Sequence, residues 1–217
     1  VFRSPRRTRA GSVYEPGVSP DMLDERIVGF TPYNRTPLHW LTRESSSAGR
    51  EMEAQQDREA VPCIELLLEA GASVDLPDRW GAAPLKLATT GDRVESASVL
   101  LGAGADVHLS NHMGCTALHN AALFGAHRCV KLLLKHGASV HVRTNESELI
   151  NFDRKTPIDQ AWWGVANGRT KLGAICLALL LKAGSDLPAE RPWDIIRISR
   201  HPYLSRVRAA GGLPNYE

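Results

Sequence analysis

The chain lacks most of what would mark an enzyme, a metal protein or a membrane protein. None of its 217 residues form a P-loop, a G-x-S-x-G nucleophile turn, an H-E-x-x-H zinc helix or an acidic calcium loop. Cysteine is scarce: Cys63, Cys115, Cys129 and Cys176 are scattered, without C-x-x-C spacing. In a chain of this length that scatter indicates reduced, mostly buried thiols in an intracellular, cytoplasmic protein. Long apolar runs are missing too. The longest lies within LGAICLALLL (172–181), far short of the roughly 20 residues a membrane span requires. Aromatics number only thirteen, so where they fall carries weight.

Neither sign of charge dominates: 26 basic against 24 acidic residues give +2. The distribution is uneven, however. Residues 1–20 hold Arg3, Arg6, Arg7 and Arg9 against Glu15, and residues 191–217 hold five arginines against Asp194 and Glu217. Each end is therefore +3 and the body −4, a pattern that bears on partners and not on fold. The arm, or the tail with Arg197, Arg200, His201, Arg206 and Arg208, could meet RNA, anionic lipid or an acidic protein groove. Tyr203 is the one aromatic interleaved among those basic residues, which argues against base stacking. The acid-poor start on Val1 resembles part of a mitochondrial or other organellar transit sequence, and upstream trimming accounts for it equally.

What the chain does have is a repeat. RWGAAPLKLATTGDRVESASVLLGAGADV (79–107) lies over HMGCTALHNAALFGAHRCVKLLLKHGASV (112–140) with a period of 33 and no gap. Gly81 meets Gly114, Leu85 meets Leu118, Leu100-Leu101 meets Leu133-Leu134, and Gly104-Ala105 meets Gly137-Ala138. Looser copies flank the pair. NRTPLHWL (34–41) opens a unit closed by IELLLEAGASV (64–74), and RKTPIDQAWW (154–163) opens one closed by CLALLLKAGSDL (176–187).

These residues resemble the ankyrin-repeat family, whose unit runs G-x-T-P-L-H-x-A-A through L-L-x-x-G-A. The resemblance covers about residues 31–197 and implies an all-α solenoid of helix pairs joined by β-hairpin-like loop fingers. The expected organisation is a basic extension over 1–30 and repeats over about 31–75, 76–108, 109–141 and 142–187. Residues 191–217 form a degenerate cap and basic tail. Thr36, Thr116 and Thr156 stand where helix N-caps belong, with Pro37 and Pro157 at the first helical position. Gly71, Gly104, Gly137 and Gly184 are placed to end each second helix. Gly81 and Gly114 suit the finger turn and Asn34 is the next-best residue there, whereas Arg154 is a poor one, so the fourth finger is expected to depart in geometry.

Insertions are expected at 42–59, as a solvated loop or helix extension, and at about 144–151 and 164–172. His112, Cys115 and His119 have metal-like spacing, yet His119, like His39, is the histidine of the repeat's TPLH segment and serves hydrogen bonding. No fourth ligand accompanies them, so no metal, cofactor or small-molecule substrate is expected. The lone Gly102-x-Gly104 closes a helix instead of opening one. The resemblance also implies possible substrates of an iron-dependent hydroxylase at Asp75, His108 and His141; ordinary solvated loop residues are the plainer reading.

By resemblance, partners meet the fingers and the first helices. Finger positions are Tyr33, Arg35, Arg79, Trp80, Ala82, His112, Met113, Cys115, Phe152, Asp153 and Lys155; helix positions are Thr90, Leu123, Phe124 and Trp163. Five of the thirteen aromatics fall on these sites, which are normally exposed, and that points to an interface. The expected function is non-catalytic protein binding as an accessory or scaffolding subunit. Alternatives are a substrate adaptor for an enzyme complex such as a ubiquitin ligase, or a nucleic-acid-binding accessory using the basic ends. The C-terminal segment lacks the leucine–cysteine opening of a SOCS box.

Overall fold

The computed structural model describes residues 33–43, 50–146, 154–166 and 170–186. The expected N-terminal extension, the terminal cap and the basic tail lie outside these residues. Among the described residues eight helices follow in order: α1 (Pro37–Thr42), α2 (Arg50–Glu69), α3 (Pro84–Ala88), α4 (Val94–Gly102), α5 (Ala117–Phe124), α6 (His127–Lys135), α7 (Pro157–Ala166) and α8 (Thr170–Lys182). Odd-numbered helices pack in one layer, α1 on α3, α3 on α5 and α5 on α7; even-numbered ones form the second, α2 through α8. Among the described residues the one β feature is an isolated antiparallel bridge from Ser110 to Thr116, within a finger. The core runs along the seam between layers, through Leu38, Leu85, Leu118 and Ile158 from the first helices and Ile64, Leu100, Leu133 and Leu180 from the second. No single pair could bury this stripe alone, so stacking supplies the hydrophobic gain.

The periodic residues do local work. Pro37, Pro84 and Pro157 each begin a first helix, where the missing N–H is no loss. Gly71, Gly104, Gly137 and Gly184, just past the second helices, all have positive φ, between 83° and 97°. In the fingers Gly81 and Gly114 are also left-handed, and Asn34 matches them at φ 54°. Against expectation, so does Arg154, at φ 47°. The reason is visible one finger earlier: a Cβ on Gly114 would come within 2.7 Å of the Asn145 backbone nitrogen. No described finger packs beyond Arg154, so its side chain meets no such block and only the intrinsic backbone cost remains. Arg154→Gly should therefore stabilise the protein by roughly 0.5–1 kcal/mol, read as a higher urea midpoint; an unchanged or lower midpoint refutes the strain.

Two of the three insertions are in part absorbed into helices. The polar stretch 42–59 is in part the first three turns of α2, and it is not wholly solvated, because Asp57 is only 2% exposed. Pro62 sits inside this helix, aligned through the closing glycines with Glu95 near the start of α4. The ordinary second helix begins there, so the proline keeps a first-turn position to which further turns have been added. The fourth repeat's finger insertion begins later than expected. Thr144 and Asn145 keep the finger frame, with Thr144 N–H on Lys155 O and Asn145 N–H on Met113 O.

Between α7 and α8 the extra residues lengthen both helices around two glycines. A Cβ on Gly164 would overlap the Leu123 carbonyl oxygen of α5, and one on Gly173 would lie 2.5 Å from Val165 Cγ2. Glycine to alanine inside a helix ordinarily helps by about 1 kcal/mol. At Gly164 the sign should invert: a backbone carbonyl cannot swing aside, so Gly164→Ala should destabilise by roughly 1–3 kcal/mol. Thermal unfolding of the variant checks this, and a raised midpoint would mean that α5 and α7 do not approach so closely.

Candidate protein-binding surface

The second and third fingers are each built on one polar side chain that organises the turn. Asp78 Oδ1 accepts Trp80 N–H at 2.9 Å and Ala82 N–H at 3.0 Å; one period later Asn111 Oδ1 accepts Met113 N–H at 3.1 Å and Cys115 N–H at 3.0 Å. Fingers then bond to one another through the backbone. Arg79 N–H donates to Tyr33 O, His112 N–H to Trp80 O and Asn145 N–H to Met113 O, each at 3.0 Å. The result is a continuous edge with its tip residues fixed in register.

The TPLH histidines tie this edge to the helices. His39 Nε2 lies 3.0 Å from Ala82 O and His119 Nε2 lies 3.0 Å from Lys155 O. A carbonyl only accepts, so the proton is on Nε2 and Nδ1 receives Thr36 or Thr116 N–H and hydroxyl. Burial, with the nearby Lys86 charge adding to it, pushes the His119 pKa down to about 4. Asp159 replaces the histidine in the fourth repeat. It accepts Thr156 N–H at 2.8 Å and the hydroxyl at 2.6 Å, a self-contained cap. Lys86 takes the place in the second repeat, where burial lowers its pKa against the opposing pull of Cys115 and Asp78. Burial raises the thiol pKa of Cys115 and Cys129, and that of Cys176 to about 12, so these are packing groups and not poised nucleophiles.

Of the sequence-selected residues, four converge. The Tyr33 and Trp80 rings lie 4.8 Å apart at 35°. The Arg35 guanidinium sits 5.0 Å from the Tyr33 ring centre and 5.8 Å from that of Trp80; Arg79 is also 5.8 Å from Trp80. Arg35 Nε reaches Asp78 Oδ2 at 3.4 Å, an ion pair whose carboxylate is fully buried. Trp80 nonetheless keeps 43% of its surface exposed. His112 is exposed and Met113 half-buried on the next finger, with Lys155 half-buried beyond them. Leu123 and Phe124 are half-buried on α5, and Trp163 is 41% exposed on α7, so these belong to the helix layer and not to the finger cluster. Phe152 and Asp153 lie outside the described residues.

Several positions expected to be exposed need correction, since Tyr33, Arg35, Met113, Leu123, Phe124 and Lys155 are only half exposed and three others depart for visible reasons. Ala82 and Cys115 are each 5% exposed because the chain turns inward after the left-handed residue, placing the Ala82 carbonyl under His39. Thr90 is half-buried, its hydroxyl accepting from Asn120 Nδ2 at 2.9 Å. Sequence reading also missed Asp78 and Asn111, although their separation of 33 was available as a signal.

Two layers of paired helices with hydrogen-bonded fingers along one edge define a helical repeat solenoid. A family model described as ankyrin repeats (3 copies) matches residues 52–144 and 95–188, well over half the chain, and the chain belongs to the ankyrin-repeat family. Ankyrin repeats generally mediate protein–protein interaction and are typically non-catalytic. No curated protein matches the chain. No helix among the described residues is long and apolar enough to cross a membrane.

Proposed function

We propose that the protein is a non-catalytic, intracellular accessory or scaffolding subunit that holds a partner protein on its finger edge and the adjoining first-helix layer. The observation that carries this reading is the Tyr33–Arg35–Arg79–Trp80 cluster. A tryptophan 43% exposed, braced by a stacked tyrosine and guanidinium groups on a hydrogen-bonded loop, is a rigid anchor that binding need not order. His112, Met113 and Lys155 continue the contact along the fingers; Leu123, Phe124 and Trp163 extend it across the helices. Phe152 belongs to the same proposed surface.

Crosslinking mass spectrometry on the native complex identifies the partner and its contacts. Alanine at Trp80 and Phe124 together should then reduce capture of that partner roughly ten-fold or more. Trp80→Ala alone should stay folded with the melting midpoint lowered by several degrees, since the buried part of the ring loses its contacts with Tyr33, Arg35 and Arg79. Undiminished capture by the folded double variant overturns the reading.

A further inference from the structure

Charge divides the second-helix layer along the stack. Counted over whole helices, α2 holds six acidic residues against Arg50 and Arg58, and α4 adds Glu95. By contrast, α6 holds Arg128, Lys131 and Lys135, and α8 holds Lys171 and Lys182, with no acid on either. The outermost positions concentrate this asymmetry. Counted back from the closing glycines, Glu65, Ser98 and Lys131 share one register position at intervals of 33, and Glu69, Gly102 and Lys135 share another. All six are exposed. An acidic pair on the first repeat and a basic pair on the third therefore stand at the same height, with small residues between them on the second.

Neither pair is balanced within its own molecule. Among the described residues no carboxylate pairs with Lys131 or Lys135, and no cation pairs with Glu65 or Glu69. Each pair also lies at i and i+4 on one helix, where like charges repel. Glu95 is engaged by Arg128 at 3.6 Å. We propose that this face pairs with a second copy of the same chain. Two outer faces can be laid together about a two-fold axis that runs along the stack or along the helices. The first axis sets α2 on α2 and α6 on α6, acid against acid and base against base. The second, running along α4, reverses the order of repeats and keeps the heights. Glu65 and Glu69 of one copy then meet Lys131 and Lys135 of the other, and symmetry repeats the contact. Charge thus selects one arrangement, closed at two copies, and Ser98 and Gly102 on the axis do not hold the faces apart.

Magnitude sets the character of this contact. Exposed ion pairs each contribute little and are screened by salt, so four of them give a weak, salt-sensitive dimer and not an obligate one. Leu66, 57% exposed on α2, adds an apolar element. An acidic partner of another kind would use Lys131 and Lys135 alone, and the matched acids at Glu65 and Glu69 would have no role; a second copy uses both. The second-helix layer lies across the core seam from the first helices, so pairing leaves the first-helix layer uncovered. On the reading that the first-helix layer binds a partner, the dimer is a bivalent scaffold whose avidity exceeds that of one chain.

Sedimentation equilibrium of the full chain, at concentrations up to about 0.5 mM, tests the pairing. A dimer should form at low salt, and its dissociation constant should rise at least about ten-fold as salt goes from about 50 to about 200 mM. Glu65→Lys with Glu69→Lys should be monomeric, and so should Lys131→Glu with Lys135→Glu. Both variants change exposed side chains alone, and circular dichroism verifies their fold. An equimolar mixture of the two should recover the dimer, because every contact in the mixed pair is again between opposite charges. A wild-type chain that stays monomeric at low salt overturns the pairing, as does a mixture that stays monomeric or a mass that grows beyond two chains. A monomeric wild type whose capture of the native partner falls on the lysine reversal assigns the basic helix to an acidic partner instead. Capture lost on alanine at Trp80 and Phe124 but unaffected by a proven absence of dimer removes the second copy and leaves the finger surface standing.

Discussion

Replacing Asp57 with alanine should cost about 3–5 kcal/mol, because it strips a buried carboxylate from three donors, two of them on the buried Ser96. The side chain leaves α2 and reaches the N-terminus of α4. It accepts Glu95 N–H at 2.9 Å, Ser96 N–H at 3.0 Å and the Ser96 hydroxyl at 2.5 Å. An anion there satisfies first-turn donors and opposes the positive end of the helix dipole. The contact joins the first repeat to the second, and next to it Arg93 donates to Leu41 O at 2.9 Å. In a one-dimensional array, loss at such a joint falls on one interface. Amides of α1 and α2 should accordingly exchange faster in the variant than those of α6. Asp57→Asn should fall between, since its amide nitrogen would confront one N–H that the carboxylate accepts. Urea unfolding checks the ordering; an alanine variant within about 1 kcal/mol of wild type would show that water reaches the α4 terminus.

The same joint shows what was legible in the sequence. The leucines, TPLH segments and closing glycines recur because each unit folds by the same local rules, and local rules can be read without knowing the neighbours. Asp57 could not be read that way. Its partner Ser96 is 39 residues distant, and its own surroundings, MEAQQDRE, have the composition of a solvated surface. Asp92 repeats the device one unit later, holding Cys129 N–H at 2.8 Å from a left-handed residue where the third repeat has Gly125. The finger cluster was half legible. The spacing put Tyr33 and Trp80 at equivalent positions, but not their mutual stacking or the buried Asp78 that fixes Arg35 beside them. Ala82 and Cys115 were misassigned because counting along a loop does not reveal which way it turns.

Lowering the pH from 7 to 5 should remove about 2 kcal/mol of stability through His119 alone, rising to about 3 kcal/mol near pH 4. The sign follows from the direction of the shift. His119 titrates near 6.5 when unfolded and near 4 when folded, held there first by burial. Above pH 6.5 both states are neutral and nothing is lost. As pH falls through 6.5 the unfolded chain takes up a proton that the folded chain refuses, so unfolding is favoured; below about 4 both are protonated and the loss is complete. The geometry states the same cost in bonds. A proton on Nδ1 would face Thr116 N–H at 3.2 Å and its hydroxyl at 2.9 Å, both of which that nitrogen now accepts. Carboxylates in unfolded chains titrate near pH 4, so the interval from pH 7 to 5 isolates histidine. His119→Gln should be less stable than wild type at pH 7, because the bridge to Lys155 O is disturbed, yet its stability should decline less across that interval. Parallel decline of the two proteins would show that His119 accepts its proton in the folded state and that the repeat junction is open to solvent.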